Sequence, residues 1–189
     1  MKSQDIVILL KLASLQEQEE SGLLDSADWL SGREEPFSVR GLGALLGISK
    51  TEVSASINRR LESGLAIKDL NSGRAKPNRR NLYEFIVSGL KFVFPAKPGS
   101  MSRGIPTAFA APILKGQLMS AGEDIYVWPF AEGKDRGQSV EPLFKSVPDA
   151  VRHDERLYEY LALIDAIRLG KQRESNLAAE RLKERLLKR

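Results

Sequence analysis

Four polar side chains recur at helical spacing in one segment: Lys50, Thr51, Ser54 and Asn58. Residues three, four or seven positions apart share one side of a helix, so these groups can act together. Their ammonium, hydroxyl and amide groups form the hydrogen bonds with which proteins contact nucleobase edges in a DNA groove. Thr51 and Ser54 have short side chains, so they reach such a partner only if the helix approaches it closely.

A second set of residues could bind phosphate groups. Ser38, Arg40 and Ser49 lie at predicted helix starts, where backbone N–H groups and the helix dipole favour anions. Arg59 lies on the same predicted helix as Asn58. Four further cations lie in a loop over 69–80: Arg74, Lys76, Arg79 and Arg80. This loop predicts contacts with a DNA backbone or minor groove, although a solvated loop has the same composition.

The charge along the chain is uneven. The 189 residues include 29 Lys and Arg and 25 Asp and Glu, for a net charge of +4. Residues 37–104 contain 12 basic and 4 acidic residues, whereas residues 1–36 contain 3 basic and 8 acidic residues. A basic central segment indicates a phosphate-bearing partner or, in the simpler interpretation, a solvated face.

The residue types argue against catalysis. The sequence has no cysteine and a single histidine, His153, which excludes thiolate zinc sites and Cys-His pairs. The glycines in 41–43 have the wrong spacing and context for a dinucleotide loop. Asp165, with Arg168 or Arg173 nearby, is predicted to form a structural ion pair. We expect no enzyme activity, no metal and no cofactor.

The elements around these residues are predicted from caps and apolar spacing. Ser3 begins a buried helix over 6–15, and an acidic surface connection follows over 16–36. Ser38 caps a short helix that Gly47 ends in a left-handed conformation. Ser49 caps the next helix, with Glu52 completing a capping box. On that helix the stripe predicted to face the preceding helix consists of Val53, Ile57 and Leu61.

The segment 37–66, FSVRGLGALLGISKTEVSASINRRLESGLA, resembles the helix-turn-helix of bacterial winged-helix transcriptional regulators of the MarR group. It departs from that pattern at Arg60, where an apolar residue is common, and in the following loop, which is not a clean hairpin. The resemblance implies a winged helix-turn-helix domain over 1–94 that binds double-stranded DNA. It also implies a homodimer formed through terminal helices.

The rest of the chain completes a mainly α, α+β fold. A helix containing Leu82 and Leu90 is predicted, followed by a buried strand over 92–94. The segment 95–152 is rich in Pro and Gly, and we expect irregular structure packed on the winged helix, with a strand over 125–128. The segment 153–189 is predicted to form helices, the last with a narrow apolar seam that packs on a second copy or within the chain.

The sequence therefore predicts a cytoplasmic, sequence-specific regulator of transcription, with no membrane segment. Lys50, Thr51, Ser54 and Asn58 would contact bases, and the remaining site residues would contact the backbone. The alternative is an antitoxin-like or regulatory partner protein of a two-gene cassette, with autoregulatory DNA binding. Tyr126, Trp128 and Phe130 could also line an effector pocket, although core packing explains them equally well.

Overall fold

A computed structural model describes residues 1–24, 34–117 and 125–187, and it divides the chain into two compact units, Met1–Leu82 and Tyr83–Arg189. The structure mixes helices and small sheets, which confirms the coarse α+β prediction. None of the described helices combines the length and the apolar composition that crossing a membrane requires.

The first unit is built around a central helix, α1 (Ser3–Glu20). Residues from Gln4 to Leu15 are buried on every side of α1, because α2 (Val39–Leu46), α3 (Lys50–Glu62) and β2 (Ala75–Pro77) all contact it. The N-cap lies one residue earlier than predicted, since the predicted cap, Ser3, is the first residue of the helix. Lys2 is the N-cap residue, and its backbone N–H donates to the Asp5 carboxylate at 3.0 Å.

A short antiparallel hairpin follows α3. Strand β1 (Ala66–Lys68) pairs with β2, with Ala66 opposite Pro77 and Lys68 opposite Ala75. The sequence predicted the first strand but described the following segment only as a loop. The next helix, α4 (Arg79–Ser88), begins directly after β2.

The predicted strand over 92–94 is wrong. Residues Leu90–Val93 form a short helix, α5, in which Phe94 N donates to Leu90 O at 2.8 Å. Gly89 separates α4 from α5, and the chain after it is again helical instead of forming a strand. Leu90 is buried, whereas Phe92 is 75% and Val93 is 49% exposed, so this apolar run contributes one core residue only.

The second unit contains a small closed sheet of three strands. Strand β3 (Pro98–Thr107) pairs antiparallel with β4 (Tyr126–Pro129) and with β5 (Asp135–Val140), and β4 and β5 pair in parallel. A 3₁₀ turn, Ala108–Ala110, follows β3. The predicted strand over 125–128 is thus confirmed within one residue, but the segment predicted as irregular holds more sheet than expected.

Helices complete the second unit. After a short helix α6 (Val147–Ala150) and a 3₁₀ turn (Val151–His153), the two predicted terminal helices are present as α7 (Glu155–Leu169) and α8 (Gln172–Leu187). The apolar seam of α8, including Ala178, Leu182 and Leu186, is buried, and α8 packs along α7 of the same chain. The homodimer remains a prediction, which would have to use a different surface from this seam.

A buried carboxylate joins the sheet to α7. Asp165 accepts hydrogen bonds from Trp128 Nε1 at 2.6 Å and from Thr107 Oγ1 at 2.9 Å, and it pairs with Arg168 at 2.7 Å. Burial raises the pKa of Asp165, while these three partners oppose the rise. The predicted structural ion pair is confirmed with Arg168 as its cation.

Candidate nucleic-acid interface

The turn between α2 and α3 has the caps that the sequence predicted. Ser38 Oγ accepts from Gly41 N at 2.9 Å, and Ser49 Oγ accepts from Glu52 N at 3.3 Å. Gly47 has a φ of 62°, the left-handed conformation that a glycine adopts without steric cost. Gly43 is also required, since a Cβ at that position would lie 2.6 Å from Ile48 O. Both serine hydroxyls still have a hydrogen to donate to an outside partner.

The four predicted base-contacting side chains lie together on the outer side of α3. Lys50, Thr51, Ser54 and Asn58 are all exposed, and we call them the polar face. With Val39, Arg40 and Ala55 they line one open depression of about 530 Å³. Arg40 is exposed as well, and its guanidinium reaches no closer than 4.0 Å to Glu34. The depression therefore presents donors, acceptors and two cations to solvent.

The opposite side of α3 is fixed by a buried carboxylate on α1. Asp5 has no solvent exposure, and Arg59 donates to it through Nη2 at 2.7 Å and through Nε at 3.3 Å. Arg60 is also buried, with Nη2 3.6 Å from the same carboxylate. Burial by itself would raise the pKa of Asp5, but hydrogen bonds from Arg59 and from Lys2 N lower it below its ordinary value.

This arrangement corrects two sequence predictions and gives Arg59 a partner within the protein. Arg59 pairs with Asp5, and its contact with an outside phosphate stays a prediction. The buried residues of α3 are Val53, Ser56 and Arg60, so the buried stripe departs from the predicted apolar one after Val53. The carboxylate of Glu52 binds Lys2 Nζ at 2.8 Å and Gln4, so it does not complete the predicted capping box.

The hairpin cations pair with acidic residues of the same unit. Arg74 binds Glu19 at 3.2 Å and Glu35, and its guanidinium lies 4.7 Å from the centre of the Phe37 ring. Lys76 Nζ lies 2.7 Å from Asp69. These two cations were predicted to meet DNA, and in this structure they are already neutralised by the protein.

Arg79 is also engaged, whereas Arg80 is not. Arg79 donates to Glu17 at 3.4 Å, to Gln16 at 3.3 Å and to Ala13 O at 3.5 Å. Arg80 is exposed, and over 1–24, 34–117 and 125–187 no ion pair involves it. The signal for these pairs was in the sequence, since an acidic segment precedes the basic one, but the sequence does not show which residues meet.

The single histidine and the three aromatic residues proposed for an effector pocket lie in the second unit. His153 is exposed at the end of a 3₁₀ turn, and no group of three potential metal ligands occurs within the described ranges. Trp128 is buried with its ring centre 5.8 Å from that of Tyr158. Tyr126 contacts Phe109, and the Phe130 ring contacts Arg152. Core packing thus accounts for Trp128, whereas Tyr126 and Phe130 are half-buried, and the effector pocket stays a prediction.

The polar face with Arg40 is consequently the largest group of predicted site residues that the fold brings together and leaves open to a partner. Comparison of the chain with models of known protein families, with curated proteins and with solved structures finds no match.

Proposed function

We propose that the protein is a sequence-specific double-stranded DNA-binding transcriptional regulator whose first unit is a winged helix. The observation that carries the proposal is the polar face of α3, in which four residues selected from sequence spacing are all exposed around one depression. The order of α1, α2, tight turn, α3 and hairpin supports the resemblance to the MarR group.

In this proposal α3 enters the major groove. Lys50 and Asn58 have the reach to contact base edges, since lysine donates to guanine and asparagine pairs with adenine through two hydrogen bonds. Thr51 and Ser54 contact bases or methyl groups at the closest approach. Arg40, together with the Ser38 and Ser49 hydroxyls at the two helix starts, binds flanking phosphates.

The buried pair behind α3 has a positioning role in this mechanism. A reading helix must keep a fixed orientation, because a base-specific contact depends on hydrogen-bond geometry. The two bonds from Arg59 to Asp5 attach the last turn of α3 to the start of α1, and Glu52 attaches its first turn to Lys2. These contacts hold the polar face toward the solvent side.

Binding to duplex DNA tests the proposal. A preferred duplex is first selected from a random-sequence pool, and fluorescence anisotropy then compares it with a shuffled duplex at two salt concentrations. We expect a clear preference for the selected duplex that persists at the higher salt, with a homodimer protecting a two-fold symmetric site. Equal affinity for both duplexes, lost together as salt rises, would show phosphate attraction alone and contradict the proposal.

Matched variants connect the preference to the polar face. Asn58→Ala and Lys50→Ala should weaken binding to the selected duplex more than to the shuffled one. Asn176→Ala and Lys183→Ala are the controls, because both residues are exposed on α8 in the second unit. Equal effects of all four substitutions would remove the polar face from the mechanism.

A second candidate is a regulatory partner protein of a two-gene cassette that also binds its own promoter. The exposed Phe92 and Val93 of α5 favour it, since adjacent apolar side chains in solvent are common at protein interfaces. Co-expression with the product of the adjacent gene, followed by size-exclusion chromatography, should then give a complex of fixed stoichiometry that Phe92→Ser weakens.

A further inference from the structure

Two arginines face each other across the small sheet of the second unit. Arg103 on β3 is paired directly opposite Arg136 on β5 in the antiparallel register. Residues directly opposite on antiparallel strands project from the same face of a sheet, with their Cα atoms about 4.5–5.5 Å apart. Both arginines are exposed. The register therefore brings two guanidinium groups together at the surface, although like charges placed opposite each other lower stability.

The acidic residues nearest to this pair along the chain do not neutralise it. Neither Arg103 nor Arg136 forms an ion pair with any residue in the described part of the chain. Asp135 directly precedes Arg136, but successive residues of a strand project to opposite faces. Glu132, in the turn before β5, pairs with Arg152 at 3.1 Å. The two charges therefore differ from the hairpin cations, which carboxylates of their own unit neutralise.

Close packing of the sheet fixes the backbone that carries the two arginines. Each arginine is followed by a glycine, Gly104 on β3 and Gly137 on β5. A Cβ at Gly104 would overlap Trp128 O, and a Cβ at Gly137 would overlap the carbonyl oxygen directly before β4. At the end of β4, Phe130 N donates to Arg103 O at 3.0 Å. Both strands are thus held against β4, and only the two side chains are free to adjust to a ligand.

A third cation lies beside the pair. Lys134, the residue directly before β5, is also exposed, and no ion pair involves it among the residues that the structure describes. It lies two positions before Arg136, the spacing at which residues of an extended chain share a face. The patch therefore combines two guanidinium groups and one ammonium group, which favours an anionic ligand.

The chemistry of the pair fits a phosphate group with a free end. One guanidinium donates two parallel N–H bonds to a carboxylate, so two guanidinium groups side by side can bind more oxygens than one carboxylate offers. A phosphate monoester has three terminal oxygens and a charge near −2 above its second pKa of about 6. It can neutralise both arginines, whereas each phosphodiester of a nucleic-acid backbone carries one negative charge and neutralises only one of them.

We propose that Arg103 and Arg136 bind the terminal phosphate group of a small phosphorylated molecule, with Lys134 at the edge of the site. The site lies wholly in the second unit and does not depend on the proposed DNA binding by α3. It gives the second unit a function of its own, the binding of a phosphorylated ligand.

A comparison of methyl phosphate with dimethyl phosphate tests the proposal. Each compound is titrated into the full-length protein at about pH 8, where the monoester is a dianion and the diester a monoanion, at constant ionic strength in chloride. Backbone-amide NMR shifts give both the affinity and the location. We expect methyl phosphate to shift residues of β3 and β5 with a dissociation constant on the order of 1 mM, and dimethyl phosphate to bind about tenfold more weakly.

Substitutions connect the binding to the pair. Arg103→Ala and Arg136→Ala should each weaken methyl phosphate binding about tenfold. Arg103→Lys should weaken it less, because lysine keeps the charge and loses only the paired N–H bonds. Arg173→Ala is the matched control, since Arg173 on α8 is exposed and no ion pair involves it among the described residues. This control should bind methyl phosphate as the wild type does, and thermal unfolding should show all variants to be folded.

Several results would overturn the site. Methyl phosphate that causes no saturable shift on β3 or β5 removes it, and equal affinity for the monoester and the diester removes the preference for a terminal phosphate. An equal loss in Arg173→Ala would show that net charge alone attracts the anion. Asn58→Ala should leave methyl phosphate binding unchanged, and Arg103→Ala should leave the preference for the selected duplex unchanged. A failure of this site is therefore distinguishable from a failure of the proposed DNA binding.

Discussion

The polar face of α3 and the hairpin cations were predicted by the same kind of argument, yet the structure treats them differently. Lys50, Thr51, Ser54 and Asn58 are exposed around one depression. Arg74, Lys76 and Arg79 are paired with carboxylates of the same unit. Helical spacing fixes which residues share a side of one element, whereas a charge cluster in a loop does not indicate which acids lie across from it. A patterned surface is therefore stronger evidence for a binding site than a charged one.

The largest effect is expected behind α3, where the Asp5 carboxylate is buried with its arginine partners. Asp5→Asn removes the carboxylate that Arg59 and the buried Arg60 share, and leaves cations without a counter-ion. We expect the free energy of unfolding to fall by about 3–5 kcal/mol, measured by urea denaturation, because a broken buried ion pair leaves an uncompensated charge. Asp149→Asn, at an exposed position of α6, is the control and should change stability little. Equal stability of the two variants would contradict the anchoring role of Asp5.

The pH dependence of the unfolding free energy tests the same interaction between Asp5 and its partners. The pKa of Asp5 is lowered in the folded protein from an ordinary value of 3.8, so its contribution to stability is fully present above that value. The contribution is lost as pH falls through the lowered folded pKa. Between pH 5 and acid conditions, the unfolding free energy should fall more steeply for the wild type than for Asp5→Asn. Parallel curves would show that Asp5 does not take part in the acid response.

Much of the fold was predictable because it depends on local signals. Ser38, Gly47 and Ser49 act within a few residues of themselves, and both the caps and the turn are found as expected. The burial of Arg60 and the ion pair of Arg59 depend on Asp5, more than 50 positions earlier. The helical conformation of Phe92 and Val93 shows the same limit, because an apolar run does not by itself distinguish a buried strand from an exposed helix.

The next largest effect is expected on DNA binding, where a substitution in the polar face is compared with one of a hairpin cation. Asn58→Ala should cost about 1–3 kcal/mol on the selected duplex, since it removes a contact with a base edge. Arg79→Ala should cost much less, because the Arg79 guanidinium is already bound by Glu17 and Gln16. Anisotropy titrations of both variants at one salt concentration measure the difference. A larger loss for Arg79→Ala would show that the hairpin cations leave their acidic partners and bind DNA, which would reverse the ranking of the two surfaces.

The smallest effect comes from releasing the hairpin cations. In Glu17→Gln combined with Glu19→Gln, Arg79 and Arg74 each lose one carboxylate partner, although Glu35 still binds Arg74. Each cation that becomes free to meet a phosphate should steepen the logarithmic salt dependence by about 0.9. We therefore expect the slope of log affinity against log salt concentration to be steeper by about one unit. At low salt, the affinity for shuffled DNA should be a few fold higher. The preference for the selected duplex should be unchanged. Glu180→Gln combined with Asp149→Asn, at exposed sites on α8 and α6, removes two negative charges without touching the hairpin and controls for the change in net charge. An unchanged slope in the double variant would mean that the hairpin does not approach the backbone even when its cations are released, so that the phosphate contacts come from Arg40 and the helix starts of α2 and α3. A steeper slope would instead show that the acidic end of α1 limits non-specific binding, and that specificity here depends on keeping part of the positive charge occupied.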